Sequence, residues 1–273
     1  TPASAIVSFV PKPMLKASLP VPAGTAIASV PVAGTQCLFR TCYDVEVHPL
    51  RLLDASFHQP SGRSEYIELS LELSGLQLSN WRPGSLRFFL KGEYVGSSEL
   101  YCLLLQSVRR IFIDAEGGDP CELGTDHLKP VGFDDSQAII PYPSQSFPGY
   151  RLLQEYFILP EKFLFFELSG WEQWSTRGEG STFTIRFELH KAPFSPTRLS
   201  ADNFALFATP VVNIFSMEGE PIRLDHQQTE YPVRAHASNP EHFQVYSIEK
   251  VVGIIQGTAE QRTYAPFDLF HPE

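Results

Sequence analysis

The sequence predicts a mainly β protein, a β-rich α+β fold with two sandwich-like or barrel-like lobes and a few short helices. Two segments carry this prediction because apolar and polar residues alternate along them: residues 65–73 read EYIELSLEL, and residues 183–190 read FTIRFELH. Successive side chains of a strand point to opposite faces, so each segment fits a half-buried strand. The chain also contains 23 Pro and 18 Gly, as expected for short strands joined by turns.

Further elements follow from composition and from helix-boundary signals. Strands are predicted at residues 37–48, 86–90, 109–114, 163–168, 205–208, 211–215, 221–226 and 243–252. One helix is predicted near 97–108, with a capping sequence that starts at Ser97. A second is predicted near 149–158, with Leu152, Leu153, Tyr156 and Phe157 clustered and Pro160 stopping it.

The best candidate for a domain boundary is a segment without hydrophobic periodicity, residues 115–131, which read AEGGDPCELGTDHLKPV. A chain of 273 residues is long enough for one large or two modest domains. We therefore expect an N-terminal lobe at 1–115, a linker at 116–131 and a C-terminal lobe at 132–273.

The charge balance bears on the class of partner. The chain carries 31 acidic and 21 basic residues, a formal charge of −10. A nucleic-acid-binding protein needs a basic surface, so nucleic acid is not expected as a partner. No run of about 18 apolar residues occurs, and direct insertion into a membrane is not expected. The first residues, TPASAIVSFV, lack an initiator Met and a signal-peptide pattern, and we interpret the chain as a fragment of something longer.

The sequence contains no recognisable motif for catalysis or cofactor binding. G-x-S-x-G, G-x-G-x-x-G and H-E-x-x-H patterns are absent. Asp225 and His226 are adjacent in a predicted strand, so their side chains point to opposite faces and cannot pair. His226, His236 and His242 fit no standard metal-ligand spacing. We therefore predict no catalytic residue, no cofactor and no bound metal.

The four cysteines are Cys37, Cys42, Cys102 and Cys121, and they form no C-x-x-C pair. Free cysteine behaves as a small hydrophobic residue, and cytoplasmic proteins keep it reduced. We expect buried free thiols in a reducing compartment.

The segment 170–178, GWEQWSTRG, connects two predicted strands and is expected to form the exposed tip of a long hairpin. Loop tips frequently carry recognition residues, and Trp and Arg are enriched at interface hot spots. The partner-binding candidates are therefore Trp171, Trp174 and Arg177. We expect Trp171 to fold back over the sheet edge and Trp174 and Arg177 to contact another subunit.

Several longer segments, spread between about residues 20 and 267, carry a family resemblance. They are PIRLDHQQTEYPVRAHASNPEHFQVYSIEKV at 221–251, FRTCYDV at 39–45 with HPL at 48–50, PYP at 141–143 with SFPGYRLLQEYF at 146–157, PEKFLFF at 160–166, and DNF at 202–204 with TPVVN at 209–213. As a set they resemble the TssF family, also called VasA or ImpG, which comprises baseplate wedge proteins of type VI secretion systems.

This resemblance implies a non-enzymatic structural subunit of a cytoplasmic baseplate at the inner face of the inner membrane. It implies TssG, TssE, TssK and a second TssF copy as partners, which together allow a contractile sheath and tube to assemble. Family members are considerably longer, and the resemblance implies that the chain corresponds to their central β-rich portion.

Two other classes of function stay open. A β-sandwich carbohydrate-binding module would also use exposed aromatic residues such as Trp171 and Trp174, although it would usually carry a secretion signal and often calcium ligands. An unrecognised hydrolase would need a nucleophile and a base brought together by folding. A Ser or Cys within hydrogen-bond distance of a His that is oriented by a carboxylate would indicate such an enzyme.

Overall fold

The computed structural model describes residues 2–143, 146–190, 194, 196, 198–225, 227–255, 257 and 260–264. Strands account for 34% of these residues and helices of all kinds for 19%. The predicted mainly β class is confirmed, since this helix content lies well below the roughly one third of an average soluble protein.

All strand pairings among the described residues are antiparallel. In chain order the strands are β1 Ser4–Ser8, β2 Leu19–Val21, β3 Ala26–Ala28, β4 Leu38–Thr41, β5 Val45–Val47, β6 Leu50–His58, β7 Tyr66–Leu73, β8 Leu86–Leu90, β9 Val108–Asp114, β10 Cys121–Leu123, β11 Leu128–Val131, β12 Phe165–Leu168, β13 Thr182–Leu189, β14 Phe204–Leu206, β15 Ala208–Val212, β16 Val251–Ile254 and β17 Gln261–Tyr264.

Both predicted helices occur. They are α1 Tyr94–Cys102, which continues as a π-helical turn at Leu103–Ser107, and α2 Pro148–Ile158. Short 3₁₀ turns lie at Leu78–Asn80, Thr125–His127, Asp135–Gln137, Pro160–Phe163, Trp171–Gln173, Ala201–Asn203 and Pro240–His242. Helix α1 begins earlier than predicted because the chain turns at Gly92, whose φ is 134°, and Glu93 takes the extended cap position. Ser97 is therefore buried inside the helix rather than capping it.

A five-stranded sheet has the order β10-β9-β13-β7-β6. Strand β13 lies at its centre and pairs with β7 on one side and β9 on the other. The apolar residues predicted to share a face of β7 are all buried: Ile67, Leu69, Leu71 and Leu73. The alternation in the sequence thus identified the core side of this strand.

A four-stranded sheet, ordered β11-β12-β8-β14, packs against the first. Phe166 of β12 stacks on Phe88 of β8 with ring centroids 5.1 Å apart, and it meets Phe187 of β13 in the other sheet at 6.3 Å. The two sheets share one hydrophobic core, as the two sheets of a β-sandwich do.

The chain passes repeatedly between these two sheets, and two of the crossovers bear on the sequence predictions. Residues 74–85 lead from β7 to β8, and residues 169–181 lead from β12 back to β13. The predicted hairpin of β12 and β13 is therefore wrong, because these strands belong to different sheets. Strand β7 pairs with β13 instead, and β8 pairs with β12.

Two further sheets belong to this part of the molecule. One has the order β1-β15-β4-β3, and the other pairs β2 with β5. Strand β15 is buried along its whole length, although it contains Thr209 and Pro210. The Thr209 hydroxyl accepts a hydrogen bond of 3.0 Å from the backbone N–H of Tyr43, which satisfies this buried polar group.

The structure divides the chain differently from the predicted lobes at 1–115 and 132–273. One compact unit comprises residues 1–28 and 38–213, and the other comprises residues 29–37 and 214–273. Strand β13 pairs with β7 and β9 from the other side of the predicted boundary, and segment 116–131 itself supplies β10 and β11. The turn-rich composition of that segment does not reveal which strands pair across it.

The second unit has little regular structure. It contains the β16–β17 pair and isolated bridges between Gly219 and Ala235 and between Val32 and Thr35, and none of its described residues is buried. The predicted strand at 221–226 is wrong for residues 221–225, and His226 lies outside the described residues. The strand predicted at 243–252 is wrong for residues 243–250, which pair with no strand, and only its last two residues belong to β16.

The four cysteines are free, but their predicted burial is only partly correct. Cys121 is buried, Cys37 and Cys42 are half-buried, and Cys102 is exposed at the end of α1. Burial raises the pKa of the Cys42 thiol to about 12, so this cysteine remains protonated at neutral pH.

Candidate interaction surface

Helix α2 buries its charged residues and exposes its apolar residues. Arg151 and Glu155 are 2% and 0% exposed. The exposed large apolar side chains are Phe147 at the N-cap (69%), Tyr150 (65%), Leu153 (58%), Tyr156 (43%) and Phe157 (83%). We call these five residues the α2 face. The apolar cluster predicted for this helix therefore does not form its buried side.

A hydrogen-bonded ionic network explains this orientation. Glu155 Oε2 accepts hydrogen bonds from Arg151 Nη1 at 3.1 Å and from Lys162 Nζ, while its Oε1 accepts one from the backbone N–H of Ile139 at 2.8 Å. A buried carboxylate is stable only when it is paired and hydrogen-bonded in this way. The carboxylate of Glu155 thus holds one face of α2 against the protein.

The two cations of the network are anchored as well. Arg151 Nη2 donates to the backbone carbonyl of Phe133 at 2.9 Å and to Asp135 Oδ1 at 3.1 Å. Burial lowers the pKa of Lys162, and its hydrogen bond to Glu155 opposes that shift. The network therefore ties α2 both to the preceding loop and to the 3₁₀ turn that follows the helix.

Aromatic rings are paired at both ends of the α2 face. The ring pairs Phe147–Tyr150 and Tyr156–Phe157 each lie 5.8 Å apart, and Tyr156 meets Phe163 at 6.3 Å. Single exposed apolar residues are normal, but contiguous exposed patches mark interaction sites.

A groove of about 350 Å³ adjoins the C-terminal end of α2. Its lining includes Ile6, Leu90, Tyr94, Leu159 and Leu164. The groove joins the α2 face at Tyr94, whose hydroxyl lies 3.4 Å from the hydroxyl of Tyr156 and donates a hydrogen bond to it. The α2 face and the groove are therefore adjacent.

Three acidic residues lie close to this surface. Asp134 and Glu93 are exposed, and Glu161 is half-buried at the groove. Lys91, also at the groove, is exposed, whereas Lys162 is fully buried against Glu155. We call Glu93, Asp134 and Glu161 the acidic rim.

The three partner-binding candidates from the sequence lie in the core. Trp171, Trp174 and Arg177 are only 0%, 1% and 3% exposed. They belong to the crossover at residues 169–181, and the ring of Trp171 lies 5.3 Å from that of Trp81 in the crossover at residues 74–85. Trp171 is expected from the sequence to fold back, but the expected exposure of Trp174 and Arg177 is wrong, because two crossovers between sheets meet here instead of a hairpin tip. Contact of these residues with a partner stays a prediction.

Hydrogen bonds satisfy the polar atoms of this tryptophan cluster. Trp171 Nε1 donates to the carbonyl of Leu168 at 2.8 Å, and Trp174 Nε1 donates to that of Asp119 at 3.0 Å. The guanidinium of Arg177 donates to the carbonyls of Trp81, Trp171 and Trp174. Burial lowers the pKa of Arg177 to about 10, which leaves it charged at neutral pH.

Comparison with known proteins assigns the chain to a family. A family model described as "Type VI secretion system, TssF" matches residues 1–272. The chain belongs to the TssF family. It is 30% identical over 288 residues to the type VI secretion system component TssF1 of Pseudomonas aeruginosa strain PAO1, an alignment that covers 98% of this chain and 46% of that protein.

The fold of this TssF-family chain also matches a solved structure. A chain in the cryo-electron microscopy structure of a type VI secretion TssK–TssF–TssG baseplate subcomplex superposes with a TM-score of 0.81 at 25% sequence identity. The match covers 95% of this chain and 50% of the other. The chain therefore spans about half the length of the relatives it matches.

Among the described residues of the first unit of this TssF-family chain, two Ser–His–carboxylate groupings occur. In one, Ser18 Oγ lies 2.6 Å from Nδ1 of His48, but Glu46 Oε2 is 3.8 Å from Nε2. In the other, involving Ser169, His127 and Asp126, the corresponding distances are 3.3 and 3.7 Å. Both carboxylates are too distant to hydrogen-bond and orient the imidazole. Neither grouping has the geometry of a catalytic triad.

Potential metal ligands are not clustered in the described part of the chain, where no three His, Cys, Asp or Glu side chains are close enough to hold a metal ion. His242 Nδ1 lies 2.6 Å from Thr35 Oγ1, and His236 donates its backbone N–H to Glu218, while His226 lies outside the described residues. No described helix is long and apolar enough to cross a bilayer.

His48 leads to a prediction about pH. Its side chain is buried, its Nδ1 is the acceptor for Ser18 Oγ and Trp81 Nε1, and burial lowers its pKa, with Glu46 opposing the shift. The imidazole of His48 therefore binds a proton more tightly in the unfolded chain than in the folded chain. Acidification below about pH 6.5 is expected to lower the free energy of unfolding.

Urea unfolding across the range from about pH 7 to pH 5 would measure this effect. The variant His48→Asn keeps an acceptor near the position of Nδ1 but does not titrate, so its stability should fall less on acidification than that of the wild type. Parallel pH profiles for the two proteins would contradict the assignment to His48.

Proposed function

We propose that this chain is a structural, non-enzymatic part of a TssF-type subunit in a type VI secretion baseplate. The observation that carries the proposal is the similarity, at a TM-score of 0.81 over 95% of the chain, to a chain of a TssK–TssF–TssG subcomplex. TssG-type and TssK-type proteins are accordingly its proposed partners. TssE, a second TssF copy and a position at the cytoplasmic face of the inner membrane are further expectations, supported by the family resemblance.

The α2 face is the surface that we assign to subunit contact. A protein whose role is assembly must present apolar side chains that become buried in the complex. Tyr150 and Phe157 are more than half exposed, yet α2 is held in place by fully buried ionic contacts beneath it. Aromatic residues on a rigid element are well suited to act as binding hot spots, since little conformational entropy is lost on contact.

Coexpression of the protein with TssG-type and TssK-type subunits of the same organism tests the proposal. We expect the three proteins to co-elute on size exclusion. The double variant Tyr150→Ala, Phe157→Ala should reduce the recovered complex about tenfold or more, as expected for loss of two hot-spot residues.

The matched control is Val10→Ala, because Val10 is 84% exposed and Phe157 is 83% exposed. This variant should assemble normally, and equal melting temperatures of the purified proteins would show that folding is intact. Absence of any wild-type complex would overturn the proposed function. A normal complex with the double variant would remove the α2 face from the interface.

A further inference from the structure

The shape of the α2 face restricts what can cover it. It is a convex ridge, because Tyr150, Leu153 and Phe157 follow a helical i, i+3, i+7 spacing on an 11-residue helix. Small-molecule sites are concave, and strand addition requires a free sheet edge, which a helix does not provide. A second helix packs naturally against such a ridge.

The charges restrict the sequence of that helix. Within α2 the charged residues are Arg151 and Glu155, and both are buried. These two residues, together with Lys162 and Asp135, form a network whose two positive and two negative charges cancel. Among the described residues that line the groove, Lys91 is the basic one, and it is outnumbered by the three carboxylates of the acidic rim. A partner helix that carries basic residues beside its apolar stripe would complement this pattern.

The same charges argue against a second copy of this chain as the occupant. A symmetric contact through the α2 face would place the acidic rim of one copy next to that of the other. Like charges brought together at an interface disfavour association. The formal charge of −10 on the whole chain adds to this repulsion.

We propose that the α2 face and its groove bind an amphipathic helix of another subunit, whose apolar stripe is flanked by Lys or Arg. This inference rests on the proposed function and deepens it by naming the chemistry of the partner surface. The apolar stripe packs on Tyr150, Leu153 and Phe157, an anchoring side chain enters the groove beside Tyr94, and the basic flanks face the acidic rim.

A pair of designed peptides tests this chemistry. Both are amphipathic helices of about five turns with the same leucine stripe, one flanked by Lys and the other by Glu. Fluorescence anisotropy with the 273-residue chain gives their dissociation constants. We expect the Lys-flanked peptide to bind at least about tenfold tighter, and this preference to shrink at about 1 M salt, where the screening length is about 3 Å.

Charge reversal provides the matched control. The double variant Glu93→Lys, Glu161→Lys should reverse the preference between the peptides, whereas Glu179→Lys, an exposed site outside the acidic rim, should leave it unchanged. Phe157→Asp should weaken binding of both peptides about tenfold or more. Val10→Asp, at an equally exposed apolar position, should not.

Equal affinity for both peptides, or no affinity for either, would overturn the proposal. So would a wild-type dimer in sedimentation velocity that Phe157→Asp converts to a monomer, because the occupant would then be a second copy. A TssG–TssK complex that forms normally with the charge-reversed and Phe157→Asp variants would leave the proposed function standing and reject this inference. If the chain prefers the Lys-flanked peptide but the wild type forms no complex with TssG and TssK, the proposed function is rejected and the inferred chemistry of the α2 face stands.

Discussion

Replacement of Trp174 by alanine is expected to lower the free energy of unfolding by about 3–5 kcal/mol, the range for large-to-small changes of buried aromatic residues. The indole is 1% exposed, lies 5.7 Å from the ring of Phe183 and 6.5 Å from that of Trp171, and donates a hydrogen bond to Asp119. Alanine would remove these contacts and leave a cavity in a densely packed cluster. Chemical denaturation of the two proteins measures the difference.

Two comparisons make this expectation specific. Trp174→Phe keeps an aromatic ring and should lose less stability than Trp174→Ala. Phe157→Ala removes an 83% exposed ring and should change stability by less than about 0.5 kcal/mol. Unchanged stability of Trp174→Ala, combined with loss of complex formation, would instead support the partner contact predicted from the sequence.

Glu155→Ala is the second substitution with a large expected effect, again a loss of about 3–5 kcal/mol in the free energy of unfolding. The reason differs from that for the tryptophan. Removal of the carboxylate leaves Arg151 and Lys162 buried without the acceptor that faces both of them. Glu155→Gln preserves the side-chain volume and should destabilise less than Glu155→Ala. It should still lower the free energy of unfolding, because the amide carries no negative charge.

The combined variant Arg151→Met, Glu155→Leu, Lys162→Met separates charge from packing. Apolar residues of similar volume can replace a buried ionic group with little loss of stability. We therefore expect this triple variant to be more stable than Glu155→Ala alone. A triple variant less stable than the single one would show that hydrogen bonds to Phe133 and Ile139, rather than the unpaired charges, dominate.

Local periodicity predicted the parts of the fold in which one face of an element meets the core. The alternation in β7 and β13 identified their buried sides, because a strand with one solvated face must alternate. Pairing was not predictable in the same way. The sequence placed β12 and β13 in one hairpin, since nothing local distinguishes a turn from a crossover between sheets.

The candidate surface was missed for a related reason. The apolar stripe of a helix normally faces the core, so the apolar residues around Tyr156 and Phe157 are predicted from the sequence to be buried. A signal was present in the same helix: Arg151 and Glu155 are spaced i, i+4 on one face and are its only charged residues. Recognising that this face is buried requires Lys162 from the next turn, whose position only the folded chain provides.

The late position of β13 in the chain has a consequence for synthesis on the ribosome. Strand β13 fills the centre of the five-stranded sheet, but it lies more than a hundred residues after β7, so both β7 and β9 emerge with one edge unpaired. Unpaired strand edges invite association with other chains, and long-range pairing slows folding. A nascent chain that has reached residue 131 already contains most of the apolar strands but cannot complete either sheet. Chaperone binding during this interval would protect it until residue 189 has left the exit tunnel.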